Sequence, residues 1–226
     1  RGAHGDPFAV LGLHADTKGR LWLRSMQPGA QSVSVIDPDD GKVLIELAQR
    51  KIDVLGDASG FFEGSFLGHN TPFNYRLRIV WPGGVQEIDD PYRFPTVLGE
   101  LDVWLLAEGS HLRPYERLGA HLREINGVKG TAFAVWAPDA QRVSVVGDFN
   151  TWDGRRNPMR LRRECGVWEI FLPGVTAGAC YKYEIRSQDG HVLPLKADPY
   201  GFAAELRPST ASIVCALPQT ATRSSA

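Results

Sequence analysis

The feature that most restricts what this chain can fold into is a repeat. QSVSV at 31–35 recurs as QRVSV at 141–145, an offset of 110 residues. YRLRI at 75–79 recurs as YKYEI at 181–185, an offset of 106, and DDPYRF at 89–94 recurs as ADPYGF at 197–202, an offset of 108. The second anchor follows an aromatic-plus-Glu strand that starts at Gly60 in one copy and Gly166 in the other. Three anchors in one order at near-constant offsets mean two copies of one unit. A chain of 226 residues has room for two domains of about 100 residues.

Each copy reads as β. In NYRLRIVW (74–81), Tyr75, Leu77 and Ile79 face one way and Arg76 and Arg78 the other. In YKYEIR (181–186), Tyr181, Tyr183 and Ile185 share one face while Lys182, Glu184 and Arg186 share the opposite one. Period-two alternation of this kind marks half-buried strands. Pro28-Gly29, Pro38-Asp39-Asp40-Gly41 and Pro82-Gly83-Gly84 supply the turns. The expected fold class is therefore all-β: two tandem immunoglobulin-like antiparallel sandwiches joined by a short helical connector. The expected boundaries are 1–96 for the first sandwich, 97–127 for the connector and 128–214 for the second, with a disordered tail over 215–226. Within the connector Leu112, Tyr115, Leu118 and Leu122 recur at helical steps behind Ser110 as N-cap, which predicts a short helix over 114–124. Near the start, Asp6-Pro7 opens a turn that seats Phe8, Val10, Leu11 and Leu13 against a sheet.

Charge excludes several functions. With 25 basic against 26 acidic residues the net charge is −1, which argues against nucleic acid or an anionic membrane as a partner. No apolar run approaches the ~20 residues of a membrane span, and no leader pattern is visible. Cys165, Cys180 and Cys215 form no even framework and fit no metal spacing, so they read as reduced thiols of a cytoplasmic protein. The acidic residues sit in turns such as Asp37, Asp39, Asp40, Asp148 and Asp153, where they act as turn formers. No nucleophile elbow, phosphate loop or metal-binding His pattern appears, and the six His are isolated. The residues point to a binding or scaffolding chain with no catalytic group, metal or cofactor.

The two copies differ at one place. Where the first has IDPDD, the second has GDFNTWDG (147–154), which puts Phe149 and Trp152 into a loop. An aromatic on a loop tip exposes apolar surface unless something covers it. The cover is either the protein's own next element or a flat apolar ligand face such as a sugar ring. Trp136 and Trp168 are assigned to core packing, as is common for Trp in sandwiches.

FAVWAP, VSVVGDFNTWDG, GVWEIFLPG, YKYEI and KADPYGF, in this order, resemble the glycogen- and starch-binding sandwich that precedes the catalytic barrel in the α-amylase superfamily. They are also similar to the glycogen-binding domain of the AMP-activated kinase β subunit. DPFAVLGLH, GFFEGSF and DPYRFP resemble the extra N-terminal sandwich of long bacterial glycogen branching enzymes, and LGELDVWLLAEGSHLRPYERLGAHL resembles the connector between the two. The resemblance covers 4–214. It implies that Trp152 stacks on a glucose ring and that Lys182 hydrogen-bonds sugar hydroxyls, with Asn150 of the same turn completing the carbohydrate-binding set. Two departures stand out. Asp189-Gly190 is followed by His191 and Val192 where kinase-type modules carry a second stacking Trp, and no Asn lies near Ser212, where a polar residue closes the pocket. The barrel, with its Asp nucleophile, Glu acid/base and second Asp, is also missing from this sequence. The resemblance thus implies a non-catalytic N-terminal fragment of a branching enzyme that positions α-1,4-glucan or glycogen chains and packs against its own catalytic barrel. The parent would cleave an α-1,4-glucan and pass it to a 6-hydroxyl. The alternatives are a stand-alone glycogen-binding adaptor and an immunoglobulin-like structural pair.

Overall fold

The computed structural model describes residues 6–51, 58–66 and 71–216. The tail expected from 215 lies outside the described residues from 217 on. Among the described residues the first copy builds seven strands: β1 (Gly12–Ala15), β2 (Leu21–Met26), β3 (Ser32–Ile36), β4 (Val43–Lys51), β5 (Ala58–Phe66), β6 (Arg76–Trp81) and β7 (Gly84–Ile88). They run antiparallel in the order β1-β2-β5-β4-β3-β6-β7. β4 carries the sheet from one layer to the other, because Val43 to Leu47 pair with β3 whereas Ala48 and Gln49 pair with β5. Between the layers lie Leu21, Leu23, Val33, Val35, Phe62, Tyr75, Leu77 and Ile79. The inward set of the alternation is the core.

The second copy divides into two four-stranded sheets. Strands β8 (Gly119–Ile125), β9 (Val128–Trp136), β11 (Arg160–Arg162) and β12 (Val167–Pro173) form β11-β12-β9-β8. Strands β10 (Ala140–Gly147), β13 (Cys180–Ser187), β14 (Ala203–Ala204) and β15 (Ser212–Ile213) form β10-β13-β15-β14. Phe133, Val135, Val143, Val145, Trp168, Ile170, Tyr181 and Tyr183 fill the space between them. Trp168 is buried as expected, and its indole N–H donates to the Ala137 carbonyl at 2.9 Å. Trp136 is not: it is 61% exposed. It follows Phe133 and Val135 on the strand, and alternation turns it to the outer face with Ala134.

The connector departs from expectation. Its helix α1 spans Glu100–Ala107, while 119–125 is strand β8, paired with β9 from Gly119–Ala134 to Ile125–Val128. The hairpin closes on Asn126 and Gly127, both at positive φ (52° and 76°), which is the pair that a tight two-residue β-turn favours. The helical spacing of Leu118 and Leu122 gave way to that turn and to strand pairing.

The same segment extends the repeat. DPFAVLGLH at 6–14 recurs as RPYERLGAH at 113–121, an offset of 107. Each begins with a single 3-10 turn, Pro7–Ala9 or Pro114–Glu116. Each continues to a glycine at positive φ, Gly12 (+89°) or Gly119 (+99°), that backs closely onto Tyr92 or Tyr200. His14 and His121 each place Nε2 on a carbonyl three residues back, at 2.7 and 2.9 Å. The Tyr75 hydroxyl donates to Asp90 at 2.8 Å, as the Tyr181 hydroxyl does to Asp198 at 2.7 Å. The second copy therefore begins inside the segment expected to be a connector.

The copies are fastened to each other. Phe8 is buried in the second core, under the Arg160 guanidinium, which lies 3.7 Å from its ring centre. The Tyr92 hydroxyl donates to the Pro158 carbonyl at 3.2 Å, and Phe94 meets Phe171 edge-on at 4.8 Å. Buried Glu169 accepts from the Leu98 amide at 2.8 Å, and Arg162 donates to the Leu98 carbonyl at 3.0 Å. α1 lays Val103 and Leu106 on Ala134, Cys165 and Val167. The three cysteines are free thiols. Among the described residues no helix is long and apolar enough to cross a membrane, which leaves β-barrels unaddressed.

Candidate functional site

The loop that distinguishes the second copy starts where β10 ends. Gly147 pairs with Tyr181 and Val146 with Lys182, so the chain leaves the sheet beside the lysine. Asp148–Asn150 make one 3-10 turn, and Thr151 and Trp152 follow in the left-handed region at φ 55° and 58°. Side chains with a Cβ enter that region only when their surroundings hold them there. Asn150 is the holder. It is 2% exposed, accepts from the Gly147 amide at 3.0 Å, and donates to the Val145 carbonyl at 2.9 Å and the Asn157 side chain at 2.8 Å. With every polar atom so engaged, Asn150 serves the turn and is not open to a ligand.

The two aromatics separate. Phe149 packs beneath the turn, its ring centre 6.2 Å from that of Phe133. Trp152 stays half-buried at the surface, with its amide on the Gly147 carbonyl (2.9 Å) and its indole N–H on Asp148 (2.8 Å). The indole plane is thus fixed from both ends. Gly154 lies directly on the Glu184 carboxylate, which is ion-paired with Arg142. Glu184 and Lys182 are two residues apart on β13 and share its outer face, so the loop lies over the face that presents the lysine. The Lys182 ammonium donates to Thr210 Oγ1 at 2.7 Å. Next to Trp152, Asp153 is gripped by Arg155 at 2.7 Å, and those hydrogen bonds outweigh the opposing effect of burial and hold its carboxyl below the usual range.

Beneath β13 the backbone is pinned by a buried carboxyl. Asp198 accepts from Tyr181 at 2.7 Å and Tyr183 at 3.1 Å through one oxygen, and from the Tyr200 amide at 2.8 Å through the other. Burial raises the pKa of Asp198 despite these bonds. Ser212, expected near the pocket's polar edge, is buried instead and accepts from the Asp198 amide at 2.9 Å. Thr210, two residues earlier in the loop between β14 and β15, is the polar neighbour of the lysine. No alternation or turn pattern marks it, so sequence reasoning passes over it. Val192, where a second aromatic was looked for, is exposed.

The resulting surface has a fixed indole, an ammonium and a hydroxyl, with no facing pair of unengaged carboxylates. It can stack on an apolar ring face and hydrogen-bond hydroxyls. Among the described residues no group of three or more His, Cys, Asp or Glu is placed to hold a metal.

Two family models match parts of this chain. Residues 1–92 match the model of the alpha-1,4-glucan branching enzyme GlgB N-terminal domain, and residues 117–201 match carbohydrate-binding module 48, the isoamylase N-terminal domain. Among solved structures, a pullulanase from Anoxybacillus sp. LM18-11 aligns at 16% identity over 90% of this chain and 27% of its own, with a TM-score of 0.36. Klebsiella pneumoniae pullulanase complexed with maltotriose aligns at 19% identity over 90% of this chain and 21% of its own, with a TM-score of 0.37. The Bacillus subtilis type I pullulanase complexed with maltose gives 17% identity, 89% and 26% coverage, and a TM-score of 0.37. The chain spans about a quarter of the length of these proteins.

Proposed function

We infer the role of this chain from where it belongs: its first sandwich is a GlgB-type branching-enzyme N-terminal domain and its second a carbohydrate-binding module of family 48. The chain is a non-catalytic, carbohydrate-binding N-terminal region of a branching enzyme or a related amylase. Its ligand is an α-1,4-glucan such as a glycogen chain, bound at the Trp152 turn. A glucose ring lies on the indole, and the Lys182 ammonium, positioned by Thr210, hydrogen-bonds its hydroxyls. Transfer chemistry belongs to a catalytic barrel of the parent enzyme, against which these modules pack. The reduced thiols suit a cytoplasmic setting.

The observation that carries this reading is the Trp152 indole, held open at the surface by Asn150 and Asp148 above the face that carries Lys182. Affinity electrophoresis through glycogen tests it. The wild-type chain is expected to be retarded. Trp152→Ala should weaken the apparent affinity about tenfold, on the order of 1.4 kcal/mol, and Lys182→Ala about threefold. Retardation that survives both substitutions unchanged would rule the turn out as the binding site.

A further inference from the structure

Trp136 belongs neither to the core nor to the Trp152 turn. It ends β9 on the outer face of its sheet, and its indole N–H has no hydrogen-bond partner among the described residues. Beside it runs an open groove of about 490 Å³, between the end of α1 and the β11–β12 turn. Leu106, Trp136 and Pro138 form its apolar floor, with Glu108, Arg163 and Glu164 around them. Arg163 makes no hydrogen bond or ion pair among the described residues, and Glu164 has only a 3.9 Å contact to Arg162. Trp104, 58% exposed, lies one helical turn before Glu108 on the same side of α1. Gly166 keeps the floor clear: at φ +69°, a Cβ there would lie 2.8 Å from Pro138 and 3.4 Å from the Trp136 indole nitrogen.

A flat aromatic ringed by hydroxyl acceptors and a free guanidinium suits a neutral polyhydroxylated ring, whose C–H face stacks while its hydroxyls reach the charged rim. Two carboxylates against one guanidinium disfavour a phosphate or another anion. We propose that this groove is a second α-glucan subsite, with a linear α-1,4-glucosyl segment stacked on Trp136 and its hydroxyls on Glu108, Arg163 and Glu164. The choice of glucan, rather than of another sugar, rests on the function proposed for the Trp152 turn. The two indoles lie at opposite ends of β10, which at ~3.3 Å per residue puts them roughly 20 Å apart. They therefore engage separate stretches of a branched polymer and add through avidity.

The test is a titration of the ¹⁵N-labelled chain with maltoheptaose, following the indole N–H resonances and assigning them with Trp136→Phe and Trp152→Phe. The Trp136 resonance is expected to shift and saturate, and to do so equally in a Trp152→Ala background. In that background, Trp136→Ala or Arg163→Ala should weaken glycogen retardation by a further factor of about five. A Trp136 resonance that stays still while that of Trp152 moves would overturn the second subsite and leave the first intact. A Trp136 resonance that moves with protein concentration and not with sugar would also overturn it, marking a protein-covered face. If Trp136 responds and Trp152 does not, the groove stands and the turn loses its assignment.

Discussion

Asn150 and Trp152 are two residues apart and carry different burdens. Asn150 satisfies the Gly147 amide and the Val145 carbonyl inside the protein. Its loss leaves buried groups without partners, each worth about 1–3 kcal/mol. Asn150→Ala should therefore lower stability by about 2 kcal/mol or more in urea unfolding and weaken glucan retardation as much as Trp152→Ala does, by releasing the turn. Trp152→Ala should weaken retardation about tenfold with a melting temperature within about 2 °C of wild type, since the indole is half-exposed. Equal destabilisation by both would mean that Trp152 is a packing residue. The surface placement of Trp152 and Lys182 is legible from sequence, because an aromatic in a turn and a lysine opposite two tyrosines are local patterns. The structural role of Asn150 is hidden in the sequence because its hydrogen bonds run to a strand end and to Asn157, which no local pattern shows. Trp136 departs from the expected core position, and the alternation of Phe133 and Val135 points it outward.

At the scale of elements, each copy closes on a buried tyrosine–aspartate pair. Burial raises the pKa of both Asp90 and Asp198 above 3.8. Folding therefore takes up protons in the interval above that value. The contribution of each group to stability is highest in acid, falls as pH rises through the folded pKa, and stays lower at neutral pH. Asparagine mimics the neutral form, so the stability of Asp198→Asn relative to wild type should rise between about pH 4 and about pH 7 in urea unfolding. A difference that ignores pH would contradict the buried-carboxyl account. The repeat that carries these pairs was readable from three motifs, and with it the all-β class. The start of the second copy was hidden because Leu118 and Leu122 also satisfy helical spacing. Asn126-Gly127 and the Pro-to-His match between 7–14 and 114–121 held the information that decides for a strand.

On the scale of the whole molecule, the two sandwiches share a core through Phe8, Tyr92 and Phe94, with Glu169 and Arg162 clasping the backbone at Leu98. They should melt in one calorimetric transition. Phe8→Ala, which removes a ring from the shared core, should cost about 3 kcal/mol or more. Two independent transitions in the wild-type chain would mean that the junction is only a contact. A junction of this kind holds the Trp152 face at a constant angle to the first sandwich. The central claim is that an α-glucan lies on that face, and a crystal structure of the chain with saturating maltoheptaose tests it most directly. The expected result is a glucose ring stacked on the Trp152 indole with a hydroxyl within hydrogen-bond distance of Lys182 Nζ, while a structure in which the sugar is absent from that turn would contradict the claim.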